Sequence, residues 1–264
     1  MPELGPVDEA GLALLGRAEG LYAAAERGEI TDAAAFLREA LPAPAGPAWA
    51  PPPLGAAPPL AGCADPAPFD HPRWAADGFV CAGPALDAAG VAAVAAAGDR
   101  VIEACFASAG MARIEDWAAR VTQISDPELW DPTFAALADA APLRALATAA
   151  LGGAPARCLW AHLVIKPPGV GAGLPWHTDR PTWPFPATVP AVAIWLALDP
   201  LEPTSGGLAY QPGSHRPGGA GQPAVQPTVP RGHVLVHHGE ALHCSRPNTS
   251  GRWRRAWIGV FGVA

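Results

Sequence analysis

Short runs of apolar residues dominate the second half of the chain, and Pro, Gly, Ser or Asn bounds each of them. Runs of this length predict buried β-strands, and their spacing favours a sandwich or barrel of about eight strands. The runs cover residues 158–165, 191–198, 208–211, 233–237 and 253–261.

The part of the chain before these runs has helical periodicity instead. Apolar residues at three- and four-residue spacing predict a helix over residues 87–108. Further helix is expected over residues 128–151, opened by Asp126-Pro127 or Asp131-Pro132 and closed by glycines 152 and 153. Residues 69–80 predict a turn followed by a first strand.

Three regions follow from these patterns. Residues 1–41 predict a helical N-terminal extension, either a lid or dimerisation arm or a helix packed on the domain. Residues 42–68 contain ten prolines and predict an extended connector, either a flexible linker or a strap along the surface. Residues 69–264 form the main domain, which is mainly β with helices at its N-terminal side.

Composition narrows the possible functions. The chain of 264 residues has a formal net charge of -7 and contains no basic run, which argues against a nucleic-acid partner. We find no secretory leader and no apolar run long enough to cross a membrane, so no membrane association is expected. Five scattered cysteines without CxxC spacing indicate reduced thiols, and these features together predict a cytoplasmic protein.

The chemistry concentrates in the segment Pro175-Trp176-His177-Thr178-Asp179 and in Leu242-His243-Cys244-Ser245. On a β-strand, His177 and Asp179 would leave the same face because they are two residues apart. With His243 they make two histidines and one carboxylate, the ligand set of non-haem Fe(II) oxygenases, which leaves coordination positions open. His237 and His238 are alternative third ligands.

Five motifs carry a family resemblance: Lys166-Pro167-Pro168-Gly169, the His177 and His243 segments, Gly206-Gly207-Leu208 and Pro212-Gly213-Ser214-His215. In their order and spacing the chain resembles the phytanoyl-CoA dioxygenase family from about Phe69 to the C-terminus. The resemblance implies an oxygenase that depends on Fe(II) and 2-oxoglutarate. It also implies a double-stranded β-helix, a jelly-roll or cupin-like core, in which 2-oxoglutarate and O2 take the open iron positions.

The same resemblance implies a set of cosubstrate residues. Arginine suits the distal carboxylate of 2-oxoglutarate because its charge is permanent and its donors are forked. The family's arginine lies eleven residues beyond the distal histidine, which selects Arg254. The other implied residues, a hydroxyl partner, an aromatic wall and two further lining positions, are Ser245, Trp195, Gln123 and His162.

Trp176, Arg180 and Trp183 surround the metal segment, where they either line a substrate cavity or are ordinary loop residues. The expected reaction is hydroxylation of a small molecule, or its desaturation or ring closure, with release of succinate and CO2. The alanine-rich composition is typical of high-GC bacteria and points to specialised metabolism. The presence of Asp179 favours these reactions over halogenation, because halogenating family members have a small residue there.

Two other classes of function are compatible with parts of the pattern. A zinc-type hydrolase could use two histidines and a carboxylate, with bound water as the nucleophile. A non-catalytic β-sandwich binding protein would need no metal ligands at all. Neither class would require Ser245 and Arg254 as a carboxylate receptor, so that pair favours the oxygenase. The sequence does not determine the oligomeric state.

Overall fold

The computed structural model describes residues 59–108, 122–168, 173–219 and 221–263. The helical extension predicted for residues 1–41 and most of the predicted connector lie outside the described residues. None of the described helices is both long enough and apolar enough to cross a membrane.

Nine strands in two sheets make up the described β-structure. In the larger sheet the strand order is β1-β7-β5-β9-β3-β2, and in the smaller sheet it is β4-β8-β6. The strands are β1 (Phe79–Pro84), β2 (Thr122–Ser125), β3 (Ala156–Lys166), β4 (Leu174–His177), β5 (Ala191–Ala197), β6 (Leu208–Tyr210), β7 (His233–His238), β8 (His243–Ser245) and β9 (Arg254–Val263). The helices are α1 (His71–Asp77), α2 (Ala88–Ser108), α3 (Pro132–Ala138) and α4 (Ala141–Ala150).

The central strand β5 is buried along its whole length because both faces of the larger sheet are covered. Successive side chains point to opposite faces of a strand. Val192, Ile194 and Leu196 therefore join the core that packs against the helices. Trp195 joins a second core between the two sheets. Burial on both faces explains why this strand reads as a continuous apolar run.

The last strand, β9, pairs with β3 on one side and β5 on the other. Its alternation places Trp257 in the helix-facing core and Ala256 in the core between the sheets. Arg254 has the same parity as Ala256 and so faces the space between the sheets. The predicted strands of the second half are confirmed, with ends shifted by one or two residues.

The predicted turn and strand at residues 69–80 were wrong in part, because α1 precedes β1. The Asp70 side chain caps this short helix by accepting a hydrogen bond from the backbone N–H of Arg73 at 3.0 Å. Gly78 ends the helix in the left-handed conformation, with φ of 79°. These local signals determine a helix at a place where the sequence pattern predicted a turn.

The helical stretch predicted over residues 128–151 is divided into a 3-10 turn (Pro127–Leu129), α3 and α4. Asp131 caps α3, as one of the two predicted starts requires. Pro142 lies in the first turn of α4. Proline has no backbone N–H to donate within a helix, but the first turn of a helix does not require one, so a new helix begins here and α3 does not continue.

The described end of the connector lies against the main domain. The Gly62 carbonyl accepts a hydrogen bond from the N–H of Asp87 at 2.8 Å, and the N–H of Ala64 donates to Ala85 at 2.9 Å. Gly62 has a φ of +78°, and a Cβ there would lie 2.4 Å from the Gly90 nitrogen. Only glycine therefore permits this close approach of the connector to the start of α2.

Asp131 also joins α2 to α3, and this contact makes stability depend on pH. The carboxylate accepts hydrogen bonds from Arg100 Nε at 2.8 Å and from the Thr133 N–H at 2.9 Å. Burial alone would raise the pKa of Asp131, but its bonds to Thr133 and Arg100 lower it below 3.8. The ionised carboxylate therefore stabilises the fold at neutral pH. This contribution is lost as the pH falls below 3.8, the ordinary pKa of an aspartate, towards the lower pKa of Asp131 in the folded protein.

We expect Asp131→Asn to lower the free energy of unfolding by about 1 kcal/mol at pH 7, because asparagine still caps the helix but carries no charge. The difference from the parent protein should shrink as pH falls through 4 towards 3. Urea unfolding of both proteins at pH 7 and at pH 3 measures the difference in the free energy of unfolding at each pH. An equal difference at both values would show that the charge contributes nothing.

Candidate active site

Three potential metal ligands meet between the two sheets. The Nε2 atoms of His177 and His243 lie 3.4 and 3.6 Å from Oδ1 of Asp179. All three ligand atoms lie within 4.8 Å of one another. The pairing of β4 with β8 places His177 directly opposite His243, so the backbone register brings the two imidazoles together.

Asp179 reaches this cluster by a route that differs from the predicted one. Strand β4 ends at His177, and Asp179 opens a 3-10 turn (Arg180–Thr182) with helical φ and ψ values. The expectation that both side chains leave one face of a strand was therefore wrong. The turn itself directs the carboxylate back towards the histidines, held by the hydrogen bond from the Thr182 hydroxyl to the Asp179 carbonyl at 2.8 Å.

Backbone carbonyls orient both imidazoles. His177 Nδ1 lies 2.7 Å from the Pro175 carbonyl oxygen, and His243 Nδ1 lies 2.9 Å from that of Ala241. A carbonyl oxygen can only accept, so each Nδ1 must carry the proton. Each Nε2 therefore presents its lone pair to the cluster, which is the arrangement that second-shell partners impose on metal-binding histidines.

The protonation states also suit a cation. Burial lowers the pKa of His243 to about 3, so its imidazole is neutral at pH 7. Burial would raise the pKa of Asp179, but the surrounding histidines 243, 177 and 237 lower it well below 3.8. Burial would also lower the pKa of His177, yet its hydrogen bond with Asp179 raises it. Asp179 and His243 are thus already in the states that a divalent metal requires, whereas at His177 the metal would compete with a proton for Nε2.

The cluster opens onto a cavity of about 400 Å³ between the sheets. Many of the predicted site residues line it: Gln123, His162, Trp183, Trp195, Ser245 and Arg254. Trp176 and Arg180 are half-buried, and neither is part of the lining. Trp160 and Val164 also line the cavity. They were missed, although the alternation of β3 places both on the same face as His162.

Arg254 is the charged group of this cavity. It is 1% exposed, and within the described part of the chain its side-chain donors make a single hydrogen bond, from Nη2 to the Gly206 carbonyl at 3.4 Å. Its Nε and Nη1 atoms have no partner among the described residues. The guanidinium carbon lies 5.5 Å from the Trp195 ring centre. Burial lowers the pKa of Arg254 to about 10, so it remains charged at pH 7.

A buried cation with unpaired donors is costly unless an anion completes it. The Ser245 hydroxyl lies on the same face of β8 as His243, and both line the same cavity. A ligand with a carboxylate at one end and metal-binding oxygens at the other would satisfy both ends of the site. The residues present therefore fit 2-oxoglutarate together with a divalent iron.

The two arginines flanking Arg254 have other partners. Arg252 is largely exposed and donates to Glu202 at 3.0 Å. Arg255 donates from Nε and Nη2 to Asp199 at 2.8 and 2.9 Å. The structure thus separates three similar residues by burial, and Arg254 is the one that faces the cavity.

Lys166 lies opposite Arg254 in the pairing of β3 with β9, and it is fully buried. Its Nζ donates to the Arg246 carbonyl. Burial and the nearby Arg254 lower the pKa of Lys166 to about 6, so this amine is mostly neutral at pH 7. The positive charge at this end of the cavity therefore belongs to Arg254.

Arg180 fastens the loop that follows the metal segment. Its guanidinium donates to the carbonyls of Ala187 and Val189 and lies 5.1 Å from the Trp183 ring centre. Trp183 is buried and packs so closely on Gly239 that a Cβ there would lie 2.6 Å from the indole. Arg180 therefore holds the loop in shape, whereas Trp183 forms part of the cavity wall.

Comparison with known proteins supports this geometry. The sequence pattern of the family described as Phytanoyl-CoA dioxygenase (PhyH) matches residues 74–256, which confirms the predicted resemblance. No curated protein matches the chain in sequence. Solved structures with similar folds include EvdO2 from Micromonospora carbonacea var. aurantiaca in complex with 2-oxoglutarate. It has 26% sequence identity and a TM-score of 0.59, covering 75% of this chain and 93% of EvdO2.

Two further structures are similar. AviO1 from Streptomyces viridochromogenes Tue57 has 29% identity and a TM-score of 0.60, covering 72% of this chain and 92% of AviO1. SnoN, a non-haem alpha-ketoglutarate-dependent epimerase from nogalamycin biosynthesis, has 25% identity and a TM-score of 0.61, covering 73% of this chain and 81% of SnoN. The predicted jelly-roll fold class is therefore confirmed.

Proposed function

Since the chain belongs to the phytanoyl-CoA dioxygenase family, we propose that it is a non-haem Fe(II)- and 2-oxoglutarate-dependent oxygenase whose iron is held by His177, Asp179 and His243. Two neutral imidazoles and one carboxylate leave three coordination positions for 2-oxoglutarate and O2. Arg254 and Ser245 receive the distal carboxylate of 2-oxoglutarate.

One observation carries this proposal: a buried guanidinium, two of whose donors have no partner among the described residues, shares a cavity with a three-ligand cluster. A zinc hydrolase activates water and needs no carboxylate receptor at the far side of its metal. A binding protein without a metal would have no reason to direct two Nε2 lone pairs at one carboxylate oxygen. A cosubstrate with a carboxylate and a 2-oxo acid group accounts for both ends.

When bound, iron and 2-oxoglutarate activate O2, and the cosubstrate leaves as succinate and CO2 while a C–H bond of the substrate is oxidised. The chain's own residues position and shield this chemistry. Arg254 orients the cosubstrate by its fork of donors, and the Trp195 ring packs over that guanidinium. Trp195, Leu208 and Trp183 are buried and give the cavity an apolar wall.

The substrate belongs, we propose, to the small molecules of bacterial specialised metabolism. A cavity of about 400 Å³ with aromatic walls is of the size that small ligands occupy. SnoN acts in nogalamycin biosynthesis, and AviO1 comes from a Streptomyces species. Hydroxylation, desaturation and ring closure all begin with oxidation of a C–H bond. The position in which the substrate is held determines which of them follows, and Trp160, Gln123 and Trp183 line the space that it would occupy.

The test is anaerobic visible absorption of the metal-free protein, titrated with Fe(II) and then with 2-oxoglutarate. We expect a weak charge-transfer band that requires both additions and is absent from His177→Ala. His71→Ala is a matched control, because His71 is exposed and belongs neither to the cluster nor to the cavity lining, and it should retain the band. No band in the parent protein, together with tight zinc binding, would replace the oxygenase with the hydrolase.

A further inference from the structure

A third histidine contacts Asp179 from the other side of the carboxylate. His237 Nε2 lies 2.9 Å from Oδ2 of Asp179, whereas His177 and His243 both approach Oδ1. The other ring nitrogen of His237, Nδ1, lies 2.8 Å from the Tyr210 hydroxyl. His237 is 2% exposed and Tyr210 is fully buried, so the hydrogen bond between these two side chains is shielded from solvent.

The direction of these hydrogen bonds follows from what each group can donate. A carboxylate that binds a metal is ionised and can only accept, so Nε2 of His237 must carry a proton. In a neutral imidazole Nδ1 then accepts, and the Tyr210 hydroxyl, which can either donate or accept, donates to it. Asp179 therefore sets the tautomer of His237, and Tyr210 stabilises that tautomer from the other side of the ring.

The three residues come from different parts of the fold. His237 lies one residue before the end of β7 in the larger sheet, Tyr210 ends β6 in the smaller sheet, and Asp179 lies just after β4. Tyr210 is itself fixed by the Phe79 ring, stacked at 4.4 Å between centroids. A side chain held this firmly from both sheets can set the orientation of the carboxylate that it contacts.

We propose that His237, held by Tyr210, is a positioning residue that keeps Oδ2 of Asp179 away from the metal, so that Asp179 binds through Oδ1 alone. This inference rests on the proposed iron site. A carboxylate can bind a metal through one oxygen or through both. Two imidazoles, one carboxylate oxygen and bidentate 2-oxoglutarate fill five positions, and a second Asp179 oxygen would occupy the position needed for O2.

The same geometry argues against His237 as the third metal ligand, an alternative that the sequence left open. Ligation through Nε2 would require that nitrogen to give up its proton and its hydrogen bond to Oδ2. His237 is also absent from the cluster whose ligand atoms face one another, which consists of residues 177, 179 and 243.

The test uses two replacements at one position in the full-length protein. His237→Phe keeps a planar ring but removes the donor, and His237→Gln restores an N–H near the position of Nε2. Tyr210→Phe leaves His237 in place but removes the hydroxyl that holds its Nδ1. His238→Gln is the matched control, because His238 is the next residue on the same strand and contacts Trp74 and His215 instead of Asp179.

The readouts are the apparent affinity for Fe(II) at saturating 2-oxoglutarate without O2, and the position of the charge-transfer band. We expect His237→Phe to bind Fe(II) about 10- to 100-fold more weakly, the range typical for loss of a group that hydrogen-bonds a metal ligand. The charge-transfer band should also shift. His237→Gln should recover most of both. Tyr210→Phe should give a smaller change in the same direction, and His238→Gln should match the parent protein.

Each contrary result has a distinct meaning. An unchanged affinity and band in His237→Phe, with only a lower melting temperature, would overturn the inference and leave the iron site intact. Complete loss of Fe(II) binding in His237→Phe but not in His243→Ala would make His237 a ligand and also overturn it. Absence of the band from the parent protein would overturn the proposed function, and this inference with it.

Discussion

Replacing Asp179 by alanine is expected to abolish 2-oxoglutarate turnover in a protein that still folds. Asp179 supplies the one negative charge of the ligand cluster, and two neutral imidazoles alone hold Fe(II) weakly. Loss of a second-shell partner typically costs about 10- to 100-fold, so loss of this ligand should reduce succinate formation by more than about 100-fold. Succinate released per minute at saturating Fe(II) measures the effect.

Asp139→Ala is the matched control for this replacement, because Asp139 is a surface aspartate whose partner is Arg144. It should retain the activity and the iron content of the parent protein. Substantial succinate formation by the Asp179→Ala protein would place the iron elsewhere in the chain and contradict the proposed ligand set.

Replacing Arg254 by methionine is expected to raise the KM for 2-oxoglutarate about 30- to 4,000-fold. Loss of one partner from a buried, hydrogen-bonded charge pair costs about 2–5 kcal/mol, and each 1.4 kcal/mol corresponds to a factor of ten. Arg254→Lys should give a smaller increase, because lysine keeps the charge but cannot present two parallel donors. Initial rates of succinate formation against 2-oxoglutarate concentration give the values.

The same replacement should not lower the free energy of unfolding, and this separates weaker binding of 2-oxoglutarate from misfolding. In the ligand-free protein Arg254 is a buried cation with unpaired donors, and an apolar side chain of similar length removes that cost. Urea unfolding of Arg254→Met should therefore show an unchanged or greater free energy of unfolding.

Arg252→Lys is the control for Arg254, since Arg252 is exposed and pairs with Glu202. It should change the KM by less than about twofold, because exposed ion pairs contribute little. An unchanged KM in Arg254→Met would remove Arg254 from the cosubstrate site and leave the carboxylate receptor unassigned.

The burial of Arg254 shows how the larger sheet serves the site. Strand β9 places Trp257 in the helix-facing core and Arg254 between the sheets. Its neighbour β5 carries Trp195, whose ring lies beside the guanidinium. The same alternation that stabilises the core thus supplies the cosubstrate end of the cavity, while the smaller sheet supplies both histidines of the metal cluster.

The strands were predictable because most of them are buried on both faces and therefore read as apolar runs between Gly and Pro. Strands β4 and β8 do not appear as apolar runs, because they are short and carry polar side chains such as His177 and Ser245. Helix α1 was not predicted either, because a seven-residue helix has too few turns for a clear period. Its Asp70 cap and Gly78 end were the signals that could have found it.

The sequence by itself determined the fold class, the family and the candidate residues of the site, because motif order, spacing and hydrophobic period are properties of the chain. Only the tertiary structure decided how Asp179 turns back from β4, which arginine is left unpaired, and that His237 contacts the second oxygen of Asp179. His237 and Asp179 are 58 residues apart; His237 lies on the larger sheet, and Asp179 follows a strand of the smaller one. Contacts of this kind depend on how two sheets pack face to face, and no local period along the chain encodes that packing.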